Sequence, residues 1–340
     1  MNKKAMSTMA LNWVFVAIAG SLILLFAVKI INTQGKISDL EITSKILEDL
    51  GSTLVGKSTN EGSFSIIKIP SDKILDFQCN NVCNERVGCE SYVKTVTSEK
   101  QIPTEIRPIF APERVKFSRE LYSFVESWRV PFNVVNFVYL SFPGENLIFP
   151  DNPDCDGNCR RILARIPDKV KDAEIVIQSS TPNGPEFSNS KFKKVIEFLS
   201  NCDESTYQGR KICVNSNNIT FYDSEGNKEG SFNYLTDEEI LAAIFTQDSQ
   251  TYECNMRKSE YKYSQSVSTY SKKAGILKKE YNSVNNCNVG YNAMINYLSD
   301  YTLDDVDFFK KLNDIKKRGL HINFENQNYF VISNGCPPLY

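Results

Sequence analysis

The run Gly51-Ser52-Thr53-Leu54-Val55-Gly56-Lys57-Ser58 satisfies the phosphate-binding pattern G-x-x-x-x-G-K-[ST] position by position. That chemistry needs a buried strand leading into the loop and a helix leaving it, so that backbone amides converge on the phosphates. Here the approach is charged and helically spaced, and the departure is Thr59-Asn60-Glu61-Gly62 followed by a strand pattern. The same residues read more simply as a helix C-terminus, with the glycines ending it and Lys57 complementing its dipole. No nucleotide or other cofactor is therefore expected.

Asp151, Asp154, Asp156 and Asn158 crowd one segment and offer the several oxygen ligands that calcium prefers. Their spacing departs from the calcium-loop rule, because Gly157 falls fourth rather than sixth from Asp154 and the twelfth position is Arg165. A solvated, disulfide-bearing loop is the expectation, and no metal site is assigned. His321 is the only histidine, so any triad or histidine-rich metal site would depend on it alone. Placed between a helical and a strand-like stretch, it reads as structural. The carboxylate groups Asp237, Glu238, Glu239 and Asp304, Asp305, Asp307 sit in first turns of expected helices, where the dipole favours them. No catalytic residue follows from these patterns. Asn218-Ile219-Thr220 is the single N-glycosylation sequon, meaningful only on an exported chain.

The cysteines are the stronger chemical signal. They number ten, at Cys79, Cys83, Cys89, Cys155, Cys159, Cys202, Cys213, Cys254, Cys287 and Cys336, and the even total permits complete pairing. Zinc knuckles use C-x2-C pairs with histidines or further pairs, whereas the close spacings here are C-x3-C, C-x5-C and C-x3-C. Disulfides in an oxidising compartment are the expectation. Order does not fix connectivity, but Cys202 with Cys213, Cys254 with Cys287, and Cys155 with Cys159 bracket short local segments.

All ten lie beyond an apolar run from Met9 to Val28 that is interrupted only by Asn12 and Ser21 among polar residues. At 1.5 Å rise per residue such a run spans a bilayer core of about 30 Å. A transmembrane helix over residues 9–31 is expected, with the lipid bilayer as partner. Ala17-Ile18-Ala19 also fits a signal-peptidase site, but the apolar run continues past it to Val28. Lys3 and Lys4 favour a cytoplasmic N-terminus over residues 1–8, and Lys29 and Lys36 weaken that bias. The cysteines favour the same direction, placing the bulk of the chain outside the cytoplasm at the cell membrane.

Beyond Gly35, Ile37, Leu40, Leu47 and Leu54 recur near heptad spacing, which predicts an amphipathic juxtamembrane helix over 35–57. From 60 to 150 the pattern is β-rich, with strands over Phe64 to Ile69, Tyr92 to Thr97, Ile106 to Phe110 and Phe132 to Phe142. Residues 151–165 read as a boundary loop. The part from 166 to 340 is α/β shading into helix: a strand at Ala173 to Ser179, an amphipathic helix at Ser188 to Ser200, a strand at Lys211 to Val214 and a hairpin from Ile219 to Tyr234. A helix then starts at Thr236 with a Thr236/Glu239 capping box, and further helices follow over 251–281, 289–299 and 302–318, the last capped by Thr302. The fold class is thus α+β: an N-terminal transmembrane helix and stalk, a β-rich part, and an α/β to helical part stapled by disulfides.

Composition narrows the function classes. Lysine plus arginine number 39 against 41 acidic residues, so the net charge of -2 gives no field that would recruit nucleic acid. Hydrophobic residues at 41% and charged residues at 24% argue for a folded body rather than a disordered one.

Lys4-Ala5-Met6-Ser7 ahead of the apolar run resembles an archaeal type IV prepilin processing site, which implies a cut after Ala5 and a pilin-like N-terminal helix. The fifth residue after that cut would be Ala10, where the bacterial pattern has glutamate. Trp128-Arg129-Val130-Pro131-Phe132 with Asn136-Phe137-Val138-Tyr139, Tyr252-Glu253-Cys254-Asn255-Met256 and Cys336-Pro337-Pro338-Leu339-Tyr340 is similar to uncharacterised archaeal membrane-anchored surface proteins. That resemblance implies a surface location and carries no activity or functional residue. Three functional expectations stand: a non-catalytic anchored extracytoplasmic protein with a structural or partner-binding role, its partners other surface proteins or itself; a pilin-like filament subunit; and an exported hydrolase with an unrecognised carboxylate site.

Overall fold

The computed structural model describes residues 17–26, 28–29, 45, 48, 50–52, 56, 60–68, 74–84, 88–95, 101–103, 107–112, 114–116, 120–143, 146–150, 157–171, 176–179, 193–204, 209–302 and 307–340. They fall into two compact units, Met1–Asp49 and Leu50–Tyr340. In the first, residues 17–26 and 28–29 are helical. Their large apolar side chains stand in the open, with Ile18 54%, Leu24 67% and Phe26 63% exposed. Among the described residues no helix is long and apolar enough to cross a membrane. The remainder of the expected anchor over 9–31 lies outside the described residues. At the Gly51 to Ser58 motif, Gly51, Ser52 and Gly56 are helical, and Thr53 to Val55, Lys57 and Ser58 lie outside the described residues.

The second unit holds three sheets. Strands β1 (Phe64–Lys68), β7 (Glu120–Arg129), β8 (Asn133–Ser141) and β5 (Ile109–Phe110) form one, in the order β1-β7-β8-β5. The β7–β8 hairpin turns at a cis Val130-Pro131 bond and dominates this sheet. Strands β2 (Ile74–Asn84), β3 (Gly88–Thr95), β4 (Gln101–Pro103) and β6 (Arg114–Lys116) form the antiparallel order β4-β3-β2-β6. In it Cys79 lies opposite Ser91 and Cys83 opposite Cys89. The third sheet runs β10-β9-β11-β12-β13-β14, built from β9 (Asn146–Pro150), β10 (Val176–Ser179), β11 (Lys193–Phe198), β12 (Lys211–Val214), β13 (Asn218–Tyr222) and β14 (Lys228–Asn233). Its first four strands are parallel and the last two complete an antiparallel meander. It draws strands from both sides of residues 151–165.

Helices α1 (Asn158–Arg165) and the single turn α2 (Asp168–Val170) precede β10, and α3 (Asp237–Ile244) follows β14. Then come α4 (Ser249–Glu280), α5 (Asn285–Asp300), α6 (Phe308–Arg318) and α7 (Leu320–Ser333). With 32 residues, α4 is about 48 Å long at the standard helical rise. It packs along β2, β3, β5, β8 and β14 on the strand side and along α5 among the helices, so it is the spine of the unit. The core around it is aromatic. Trp128 stacks on Phe137 at 5.5 Å and meets Phe308 edge-on, while Phe110, Tyr139, Tyr252 and Tyr263 extend the cluster. Each such ring, fully buried, contributes about 1.5–3 kcal/mol of transfer free energy.

Several expectations need correction. The span Ser188 to Ser200 carries strand β11 rather than a helix. Lys194, Val195, Ile196 and Phe198 are all buried between β9 and β12, and a strand covered on both faces loses the alternation that would announce it. Residues 158–165 of the expected loop form α1, whose buried Cys159 and Ile162 sit three apart on one face. His321 lies in α7 rather than before a strand. The 302–318 helix begins at Phe308, where the Asp307 carboxylate accepts from the Lys310 amide; Thr302 instead donates to Ser299 O. Cys254 does not pair with Cys287.

Among the described residues, Cys79 pairs with Cys254, Cys202 with Cys213 and Cys287 with Cys336. The second is the expected local pair. The first fastens β2 to α4 across 175 residues of sequence, and the third ties the start of α5 to the tail after α7. Cys159 is disulfide-bonded and Cys155 lies outside the described residues.

The α5–α7 crossing rests on Gly290, because a Cβ there would collide with Val331 and lie 3.4 Å from the Phe330 ring. Gly290→Ala is therefore expected to destabilise by about 1–3 kcal/mol, overpacking outweighing the roughly 1 kcal/mol helix-propensity gain. Gly275→Ala in α4 meets open space, and it should gain about 0.5–1 kcal/mol. Urea denaturation of the two variants checks both signs.

Candidate functional site

At the acidic first turn of α3, Asp237 and Glu238 meet Arg161, Arg165 and Glu126. Thr236 precedes α3 in extended conformation; Asp237 and Glu238 both reach Arg165, while Glu239 is buried. Asp237 takes a bidentate pair from Arg161, with Nε to Oδ2 at 2.6 Å and Nη2 to Oδ1 at 2.8 Å. Arg165, one turn further along α1, bridges Glu238 and the β7 carboxylate of Glu126. The Tyr139 hydroxyl donates to Glu238 O at 3.0 Å. Burial raises the Glu126 carboxyl, and Arg165 opposes that shift. Three carboxylates and two guanidiniums thus lock α1, α3 and β7 together.

Glu239 points the other way, into the core, and is completely buried. Its Oε1 accepts from Trp128 Nε1 at 2.9 Å and from Thr236 Oγ1 at 3.3 Å, and its Oε2 accepts from the Leu235 amide at 3.0 Å. Part of the expected capping box is present, displaced by one residue: Glu239 reaches back to the Leu235 amide, while the Thr236 hydroxyl bonds Glu239 rather than a backbone amide. Burial pushes its pKa to about 7 against the pull of those donors.

A second buried ionisable group sits on α4. Lys258 is fully covered and donates to Ser91 Oγ, to Arg107 O at 3.2 Å and to Asn255 Oδ1 at 3.2 Å. Its acceptors are all neutral, and among the described residues no carboxylate pairs with it. Burial lowers its pKa to about 7. Asn255 also accepts from the Ile109 amide and donates to Thr251 O, so it knits α4 to the start of β5. Beside this group lies a small pocket lined by Phe77, Gln78, Cys79, Ser91, Tyr92, Ile109, Thr251 and Asn255. Periodicity did not single out Lys258, because a lysine in a long polar helix looks solvated.

The other sequence candidates do not converge on either centre. His321 is half-buried in the first turn of α7, its Nδ1 has no partner among the described residues, and burial lowers its pKa. Asp151, Asp154, Asp156, Asp304 and Asp305 lie outside the described residues, and Asn158 opens α1. Asn218 opens β13, with the sequon's Thr220 buried and bonded to Ser231. No group of three or more metal-ligating side chains gathers among the described residues. The chain matches no protein family, no curated protein and no solved structure.

Proposed function

We propose that this chain is a single-pass, bilayer-anchored protein whose disulfide-stapled body is displayed outside the cytoplasm in a structural or partner-binding role rather than a catalytic one. The observation that carries this reading is the pairing of Cys79 with Cys254, Cys202 with Cys213 and Cys287 with Cys336. Disulfides at this density persist where glutathione does not keep thiols reduced. The open apolar side chains of helical residues 17–26 support the anchor, since Leu22, Ile23, Leu24 and Leu25 on one short helix suit lipid better than water. The charged cluster around α3 favours the non-catalytic reading, because Asp237, Glu238 and Glu126 are each engaged by a guanidinium.

Protease added to intact cells should remove residues 50–340 while leaving a membrane-retained N-terminal fragment that resists carbonate extraction. Full protection in cells whose outer envelope has been made permeable to the protease would contradict the orientation. Complete release by carbonate would contradict the anchor.

A further inference from the structure

Cys79 is half-buried, whereas Cys202, Cys213, Cys254, Cys287, Cys336 and Cys159 are all covered. Cys79 also lines the pocket between β2, β3 and α4. Its partner Cys254 is 1% exposed. The two residues of this one disulfide therefore differ in access, and an incoming thiol would reach it from the Cys79 side.

What surrounds the covered sulfur matters for the leaving group. Lys258 lies one turn along α4 from Cys254, on the same face, because residues four apart on a helix stack. Its Nζ bonds Ser91, which is the ladder partner of Cys79. The Cys79–Cys254 and Ser91–Lys258 links are thus neighbouring rungs between one sheet and one helix. The charged groups nearby on the same elements are occupied elsewhere. Asp76 takes Lys94 and Gln78, and Arg257 takes Glu253 and Glu260. Among the described residues Lys258 has no anion of its own.

We propose that Cys79–Cys254 is a thiol-labile latch, opened by attack of a small dithiol on Cys79 Sγ, with Lys258 receiving the departing Cys254 thiolate. In the first step the attacking thiolate sulfur bonds to Cys79 Sγ. The Cys79–Cys254 bond breaks, and its electron pair leaves on Cys254 Sγ beside Lys258, whose protonated form the developing thiolate favours. In the second step the dithiol's other thiolate attacks its own sulfur in the mixed disulfide and releases Cys79 as thiolate. The dithiol ends as a disulfide and both cysteines are reduced. A cation beside a thiolate stabilises the reduced form, which speeds departure and makes a disulfide more oxidising. Opening it removes a covalent fastening of the β4-β3-β2-β6 sheet to α4. The inference needs only that this disulfide forms, and is independent of anchoring and orientation.

The test uses the full-length oxidised protein with any free thiols first blocked. Dithiothreitol is added in steps, new thiols are trapped with a mass-tagged alkylating reagent, and each cysteine is read by peptide mass spectrometry. Cys79 and Cys254 should be labelled about tenfold faster than Cys202, Cys213, Cys287 and Cys336. Lys258→Met should slow that labelling about tenfold, while Lys258→Arg keeps it fast. Labelling of Cys79 and Cys254 no earlier than the other pairs overturns the proposal, as does an unchanged rate in the Lys258→Met protein. If that variant fails to fold, the order of reduction in the unaltered protein still decides.

Discussion

Glu239→Ala should lower the unfolding free energy by about 3 kcal/mol or more, the largest loss expected from any single carboxylate here. The truncation strands the Trp128 indole N–H and the Leu235 amide in a core where neither can reach water. Each orphaned donor costs about 1–3 kcal/mol, and the lost side chain leaves a void between α3 and β7. Glu239→Gln keeps one acceptor oxygen and should be milder. Its informative effect is on pH dependence. The Glu239 pKa is raised from 4.5 to about 7, so between these values the folded chain holds a proton that the unfolded chain has released. Stability contributed by this group is present below pH 4.5 and is lost as pH rises through about 7, by about 3 kcal/mol in all. Denaturation of Glu239→Gln across that window should show a flatter slope than the unaltered protein. An identical slope would mean that the carboxylate stays ionised in its nest of donors.

Lys258 should produce the opposite slope in the next window. Its pKa is lowered from 10.5 to about 7, so between these values the unfolded chain holds a proton that the folded chain lacks. Its contribution is fully present above pH 10.5 and is lost as pH falls through about 7, by up to about 5 kcal/mol. Lys258→Met removes that dependence. It also leaves Ser91 and the Arg107 carbonyl without the amine, a cost of about 1–3 kcal/mol that the relief of burying an amine offsets at neutral pH. Taken together, the two buried groups dig a trough in stability centred near neutral pH. Urea midpoints from pH 4 to 10 should trace it in the unaltered protein, lose its acid side in Glu239→Gln and lose its basic side in Lys258→Met. A monotonic profile in the unaltered protein would remove the basis for both assignments.

Much of the architecture was legible where one local signal dominates. The β-branched run at Phe132 to Phe142 became β8, the turn-rich Asp223 to Gly230 closed the β13–β14 hairpin, and the helix over 251–281 differs from α4 by two residues at one end and one at the other. Short-range cysteine arithmetic found Cys202–Cys213. What escaped depends on distant partners. Cys79 and Cys254 are 175 residues apart, and only the packing of α4 on β2 brings them together. Parallel pairing of β11 between β9 and β12 buried both its faces and erased its alternation. Glu239 was visible as a capping residue, yet its bond to Trp128 spans the gap from β7 to α3 and has no sequence signature. Lys258 was invisible for a related reason, since only its neighbours in space tell a buried lysine from a solvated one.

The central claim is that the chain's sulfur is oxidised into specific cross-links because its body leaves the cytoplasm. The most direct measurement is non-reducing peptide mapping of the protein from its own cells, with thiols alkylated at the moment of lysis. Cross-linked peptides joining Cys79 to Cys254, Cys202 to Cys213 and Cys287 to Cys336 are the predicted result. Recovery of those six cysteines as alkylated free thiols would contradict it.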